Sequence, residues 1–264
     1  MDLIKINRKM NKVLFSALSY AGKFKYLVDY QNAQHYLRKN NELKNVHKDE
    51  TCYIVGNGPS VAKMDLSCLS SKLVITVNKS LSSPVYDILK PKYHMVCDRI
   101  VLSKISDDIK KELSQNRYET KFILHRSVYK TIGESKNVYY VYANQLPIGT
   151  NIKFDLTKNC DAFMNVLPFA IMNAIYMGFK KIVLLGCDFS FFASRKDQHF
   201  YNIGVTLNRE ESLYQDLVGS SIAIMQFESL YGYCQKNDIK LINCTPNSLL
   251  DVIPQDRLEN WLDE

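Results

Sequence analysis

Cys52-Tyr53-Ile54-Val55-Gly56-Asn57-Gly58-Pro59-Ser60 runs from an apolar stretch into a glycine turn and then a proline-serine pair. Tyr53 to Val55 suit a strand covered on both faces, and Gly56 and Gly58 let the backbone turn sharply and approach a ligand. Pro59 and Ser60 then open a helix, where the N–H that proline lacks would be an orphan in any case. The expectation is a first buried strand ending in a phosphate-binding corner, with unpaired amides and the positive dipole end facing the ligand. The spacing matches neither G-x-G-x-x-G nor a Walker loop, since no Gly-Lys-Ser/Thr follows. A tight strand-to-helix turn needs glycine whether or not it binds anything, so the corner alone leaves a structural and a functional reading open.

Outward from this turn, short β-rich runs alternate with helix-length segments. Strands are predicted at 52–56, 73–77, 93–97, 121–125, 138–142, 181–186 and 239–243, with helices near 84–90, 104–116, 161–178 and 212–237. The alternation predicts an α/β fold with a mostly parallel, twisted sheet and helices on both faces. Ligands in such sheets sit beyond the carboxyl ends of the strands. The residues there are small and polar: Asn57, Asn78, Asp98 and Asp188, then Thr245, Asn247 and Ser248 after the last run. They suggest one polar crevice for a sugar or nucleotide, against the background that loops are polar in general.

The run 161–178 is apolar on nearly every side, with Asp161 as its N-cap and Gly178 as its stop. Pro168 lies inside it and predicts a kink or a restart near Asn165, which would aim Asn165 at the crevice. After Asp188, the stretch Phe189-Ser190-Phe191-Phe192 and the polar residues beyond it read as a lid-like insertion at about 190–212, hinged at Gly204.

The 264 residues suffice for one large α/β domain with an appendage. Seven cysteines form no Cys-x-x-Cys pair and read as reduced, mostly buried thiols of a cytoplasmic protein. No secretory signal and no apolar run of membrane-spanning length is present. Of the net charge of +7, residues 1–50 carry ten Lys/Arg against five acids. Charge concentrated in this way argues against nucleic-acid binding and for a basic arm over residues 1–48. Its apolar residues recur at helical spacing. Such a helix lies on an anionic membrane surface, or caps the main domain or another subunit of a homo-oligomer.

His94 and His125 fall inside strand runs and read as core residues, whereas His199, in the lid beside Phe200 and Tyr201, is the best general-base candidate. No Asp-x-Asp motif and no zinc-like spacing occurs, so no metal site is expected. A departing phosphate would then be met by helix N-termini, hydroxyls and basic side chains such as Arg195 or Lys196.

Taken together, three ordered motifs resemble the glycosyltransferase family 42 sialyltransferases and the wider MptE-like superfamily. They are Gly56-Asn57-Gly58-Pro59-Ser60, Met177 to Ile182 leading to Gly186-Cys187-Asp188-Phe189, and Cys244-Thr245-Pro246-Asn247-Ser248-Leu249-Leu250. The resemblance spans roughly residues 51–254 and implies a single Rossmann-like domain of a GT-A variant over 49–264. It implies inverting transfer, without metal or other cofactor, of a sialic-acid-like nonulosonic acid from a CMP-sugar. The acceptor would be a glycan or lipid-linked glycan of a bacterial surface polysaccharide, met at the inner face of the cell membrane. Carried over, Asn57 and Asn78 would hold donor phosphate and ribose, and Gly186, Cys187 and Asp188 would line the cytidine pocket. The candidate donor set adds Gly58, Ser60, Asp98, Asn165, Phe189, Ser190, Asn247 and Ser248, and His199 with Asp188 are the candidate catalytic residues.

Three departures from the family pattern stand out. Asp98 replaces an asparagine, Ser190 stands where the family has a tyrosine hydroxyl for the leaving phosphate, and Asp216 to Ser221, where the family's base would fall, contains no histidine. His199 is therefore a match of role rather than of position. Two alternatives remain: a Mg-dependent MptE-like diphosphokinase, favoured if Asp98 and Asp188 converge as metal ligands, and a non-catalytic nucleotide-sugar-binding scaffold.

Overall fold

The structure, a computed structural model, describes residues 2–147, 151–193, 196–204 and 212–262. Its centre is one sheet of eight strands: β1 (Thr51–Val55), β2 (Val74–Val77), β3 (Tyr93–Val96), β4 (Lys121–His125), β5 (Val138–Gln145), β6 (Asn159–Asp161), β7 (Lys181–Leu185) and β8 (Lys240–Asn243). The order is β6-β5-β4-β3-β2-β1-β7-β8, and every pairing between these strands is parallel. The chain builds outward from β1 to β6, then returns to lay β7 on the other side of β1. The reversal point therefore lies between β1 and β7, where an open parallel sheet leaves a crevice at its carboxyl edge.

The strands read as near-continuous apolar runs because both faces are covered. Alternate residues serve opposite cores. Ile54, Ile75, Met95 and Ile123 face α6 (Val166–Met177) and α7 (Leu213–Lys236). Val96, Phe122, Leu124 and Tyr140 face α2 (Tyr30–Leu37) and α4 (Arg99–Gln115), while Tyr53, Val55, Val74 and Val183 pack on short 3-10 turns. Two shorter helices complete the connections, α3 (Pro84–Leu89) and α5 (Tyr129–Ile132).

The helix expected over 161–178 begins at Val166 instead. Asn165 is its N-cap, its Oδ1 accepting from Leu167 N at 2.9 Å, so Pro168 falls in the first turn, where no backbone bond is lost and no kink is needed. Asp161, expected as the N-cap, instead ends β6, a strand too short to announce itself by alternation.

The expected basic arm divides at Asp29. Helix α1 (Leu3–Val28) docks one face on the sheet edge through Phe15, Ser19 and Gly22. A Cβ on Gly22 would lie 1.8 Å from Asn144 O, so only glycine lets helix and strand approach this closely. Beyond Asp29, Ala33, Leu37 and Leu43 are fully buried, and Asn40 donates to Tyr140 O and Leu156 O at 2.8 and 2.7 Å. That half belongs to the core. Among the described residues no helix is long and apolar enough to cross a membrane.

Candidate functional site

At the reversal point, three glycines bring β1 and β7 together. Gly56 N and Gly58 N donate to Leu185 O and Gly186 O at 2.7 and 3.0 Å. A Cβ on Gly58 would meet Asp188 Oδ2 at 1.8 Å, and one on Gly186, whose φ is +64°, would meet Val61 Cγ2 at 2.4 Å. Pro59–Lys63 form only a five-residue 3-10 turn. Its entry is already capped: Ser60 N and Ser60 Oγ donate to the Asp188 carboxylate at 3.0 and 2.7 Å. The expected anion corner is thus filled by the protein's own carboxylate. Asp188, expected to act in catalysis, has both oxygens engaged in holding the turn, and Ser60 is its partner rather than part of the cavity wall.

Beside this turn opens a cavity of about 370 Å³, lined by Asn57, Gly58, Asn78, Asp98, Asn165, Gly186, Cys187, Asp188, Phe189, Ser190 and His199. Eleven of the predicted site residues therefore meet in one place. Within it, Asn57 donates Nδ2 to Val77 O at 3.2 Å, which turns its Oδ1 away; that oxygen is buried with no hydrogen-bond partner among the described residues. Asn78 Oδ1 is in the same state. Asn78 sits at φ +52°, and its carbonyl accepts from His94 Nε2 at 2.9 Å. A carbonyl can only accept, so His94 carries its proton on Nε2, and Nδ1 accepts from the Thr76 hydroxyl at 2.9 Å. Burial lowers the His94 pKa to about 3 and keeps this arrangement neutral. Two unsatisfied carbonyl acceptors at neighbouring strand ends call for a ligand's N–H or O–H groups rather than for a phosphate.

The remaining walls are apolar and partly strained. Phe163 and Met164, which the reading of 161–178 as one helix concealed, join the lining with Phe191 of the lid-like stretch. Phe189 adopts φ +56° and packs edge-to-face on Phe191 and Phe227, with ring centroids 5.9 and 6.1 Å apart. A left-handed aromatic residue costs on the order of 1–3 kcal/mol, and such strain collects at functional sites. The lid is tied to the first turn by Phe200 N donating to Asn57 O at 3.1 Å. This places half-buried His199 in the lining, stacked on Tyr201 at 5.1 Å. Arg195 and residues 205–211 lie outside the described residues.

The last motif acts from behind. Ser248 Oγ donates to Cys187 O at 2.6 Å and accepts from Asn243 Nδ2, while Thr245 Oγ1 accepts from Cys187 N. Ser248 thus positions the β7 end without lining the cavity, and Asn247 is an exposed turn residue at φ +55°. Burial pushes the Cys187 thiol up, and burial with the Asp98 charge raises Cys97 to about 12, so neither is a ready nucleophile.

Electrostatically, the described lining holds two carboxylates and no Lys or Arg; Lys196 is exposed and outside it. Asp98 Oδ1 caps α4, accepting from Ile100 N and Val101 N at 2.7 and 3.3 Å. No three His, Cys, Asp or Glu side chains converge to hold a metal ion among the described residues.

The family described as 6-hydroxymethylpterin diphosphokinase MptE-like matches residues 28–193. Among solved structures, the sialyltransferase CstII from Campylobacter jejuni, in complex with the substrate analogue cytidine-5'-monophosphate, superposes with a TM-score of 0.50. It is 20% identical, over 79% of this chain and 85% of that one. CST-II in complex with a trisaccharide acceptor and CMP gives a TM-score of 0.47 at 18% identity, over 78% and 86% of the two chains. At these identities the likeness is one of fold. No curated protein matches the sequence.

Proposed function

The chain belongs to the MptE-like family, and within it we propose that this chain is an inverting, metal-independent glycosyltransferase that moves a sialic-acid-like nonulosonic acid from a CMP-sugar to a glycan hydroxyl. The observation that carries this reading is the pair of unsatisfied acceptors, Asn57 Oδ1 and Asn78 Oδ1, beside an apolar wall. They suit ribose hydroxyls and the cytosine amine. A similarly folded sialyltransferase in complex with cytidine-5'-monophosphate supports the same ligand. In this reading His199 takes the acceptor hydroxyl's proton as that oxygen bonds to the anomeric carbon. The bond from the carbon to the phosphate oxygen breaks on the opposite face, releasing CMP with inversion. The Ser190 hydroxyl meets the leaving phosphate on that face.

Measured as CMP release from a CMP-nonulosonate in the presence of a metal chelator, His199→Ala is expected to lower transfer by about 10²–10⁴-fold and to leave CMP affinity intact. Turnover retained in that variant would remove His199 from the mechanism. A Mg-dependent diphosphokinase is the second reading, favoured by the family description and by two carboxylates in the lining. Against it, Asp188 has both oxygens bonded to Ser60 and Asp98 Oδ1 caps α4.

The acceptor side of the proposal places the enzyme at an anionic membrane face through α1. Opposite its docked face, Met10, Val13, Leu14, Phe24 and Leu27 are exposed. Between Leu3 and Val28 the helix has six Lys/Arg and no acid, so a second copy would set lysine against lysine, whereas anionic lipid complements it. Val13→Glu with Phe24→Glu is expected to abolish co-sedimentation with phosphatidylglycerol vesicles. Undiminished binding would contradict the membrane role.

A further inference from the structure

One residue along the chain from Asp98, which lines the nucleotide cavity, Arg99 lines a different one. This second cavity, about 860 Å³, lies beyond the carboxyl ends of β3 and β4 and is roofed by α2 and the end of α1. Its electrostatics are the reverse of its neighbour's. Lys25, Arg99, Arg126 and Lys130 line it against a single carboxylate, Asp29, which is already bonded to Arg126 at 2.7 Å. Lys25, Arg99 and Lys130 form no ion pair among the described residues. Four cations gathered around one carboxylate repel each other unless an anion joins them.

The interior supplies directed donors as well as charge. Arg126 is held in place, its guanidinium carbon 3.9 Å from the Tyr142 ring centroid while one nitrogen grips Asp29. His125 Nδ1 accepts from Ser127 N at 3.1 Å, which puts the ring proton on Nε2. Burial, with Arg99, Arg126 and Lys25 nearby, lowers the His125 pKa to about 4, so the ring is a neutral donor at pH 7. Tyr36 lines the same cavity at 9% exposure, and its hydroxyl sits beside the Arg126 guanidinium. Neutral donors inside with fixed cations around them make a receptor for a dianion or carboxylate.

We propose that this cavity binds an oxyanion carried by the acceptor, a phosphate ester or a sugar carboxylate, so that the acceptor spans both cavities with its hydroxyl in the first. Only the origin of the anion rests on the transferase reading; the site itself does not.

The test is calorimetric titration of the full chain, without nucleotide, with a glycosyl phosphate, a glycan ending in a carboxylated sugar, and its neutral parent. The intact protein is expected to bind a charged probe at least about tenfold tighter than the neutral one. Whichever charged probe is preferred identifies the anion. Arg99→Glu with Lys130→Glu, both at exposed positions, is expected to remove that preference while CMP affinity stays unchanged. Tyr36→Phe, which keeps the ring, is expected to weaken it by about three- to tenfold. No measurable binding of either charged probe, equal affinity for the neutral glycan, or indifference to the charge reversal overturns the assignment. Because no nucleotide is present, none of these results depends on whether CMP-sugar is the donor.

Discussion

Asn57 and Asn78 hold the same kind of side chain at the ends of neighbouring strands, and their amide orientation decides what the cavity can recognise. Sequence shows that polar residues stand there. It does not show that Val77 O, on the adjacent strand, claims the Asn57 nitrogen and leaves the oxygen buried without a hydrogen bond among the described residues. Asn78→Gly tests the consequence cleanly, because glycine keeps the +52° turn while deleting the acceptor. CMP binding is expected to weaken about three- to tenfold in calorimetry, with the melting temperature little changed. Gly58→Ala tests the turn itself. Its methyl group would occupy the space of Asp188 Oδ2, so chemical denaturation is expected to show a loss of about 1–3 kcal/mol. The Asp188 role was illegible for a related reason: a carboxylate after a strand looks the same whether it meets substrate or caps a turn 128 residues away.

Elements were legible where apolar runs were long and hidden where they were short. Seven strands follow from their apolar character, but the three residues of β6 offer no alternation to read. The start of α6 was misplaced because Asp161 and Asn165 are both good caps, and only Pro168, harmless in a first turn, distinguishes them. Buried at the end of β6, Asp161 has one carboxylate oxygen bonded to Lys153 N at 2.9 Å and the other without a hydrogen bond among the described residues. Burial raises its pKa from 3.8 to about 6. The native state therefore holds its proton more tightly than the unfolded chain, and stability falls as pH rises from about 4 to about 6. Asp161→Asn is expected to remove that slope, gaining about 2–3 kcal/mol over the wild type above pH 6 and nothing below pH 4, in denaturant titrations across the range. Coincident pH profiles for the two proteins would show that Asp161 ionises freely in the fold.

For the molecule as a whole, the return of β7 to the side of β1 explains why residues from 57, 78, 98, 165 and 188 to 199 meet. Parallel alternation and polar strand ends made that topology legible, since a doubly covered sheet gathers its ligands at one edge. Charge was legible only as a sum. The excess of Lys/Arg marks the first fifty residues, but of that excess only Lys25 reaches the cationic cavity, whose other cations are Arg99, Arg126 and Lys130, and the cavity at the β1–β7 reversal holds carboxylates. A nucleoside monophosphate tolerates such a cavity better than a triphosphate does, which makes ligand selectivity the most direct check on the proposed chemistry. Thermal shift with CMP, CDP, UDP, GDP and ATP, each with and without magnesium, is expected to show stabilisation by CMP alone, unchanged when the metal is removed. Stabilisation by ATP that requires magnesium, with none by CMP, would contradict the assignment and favour the diphosphokinase.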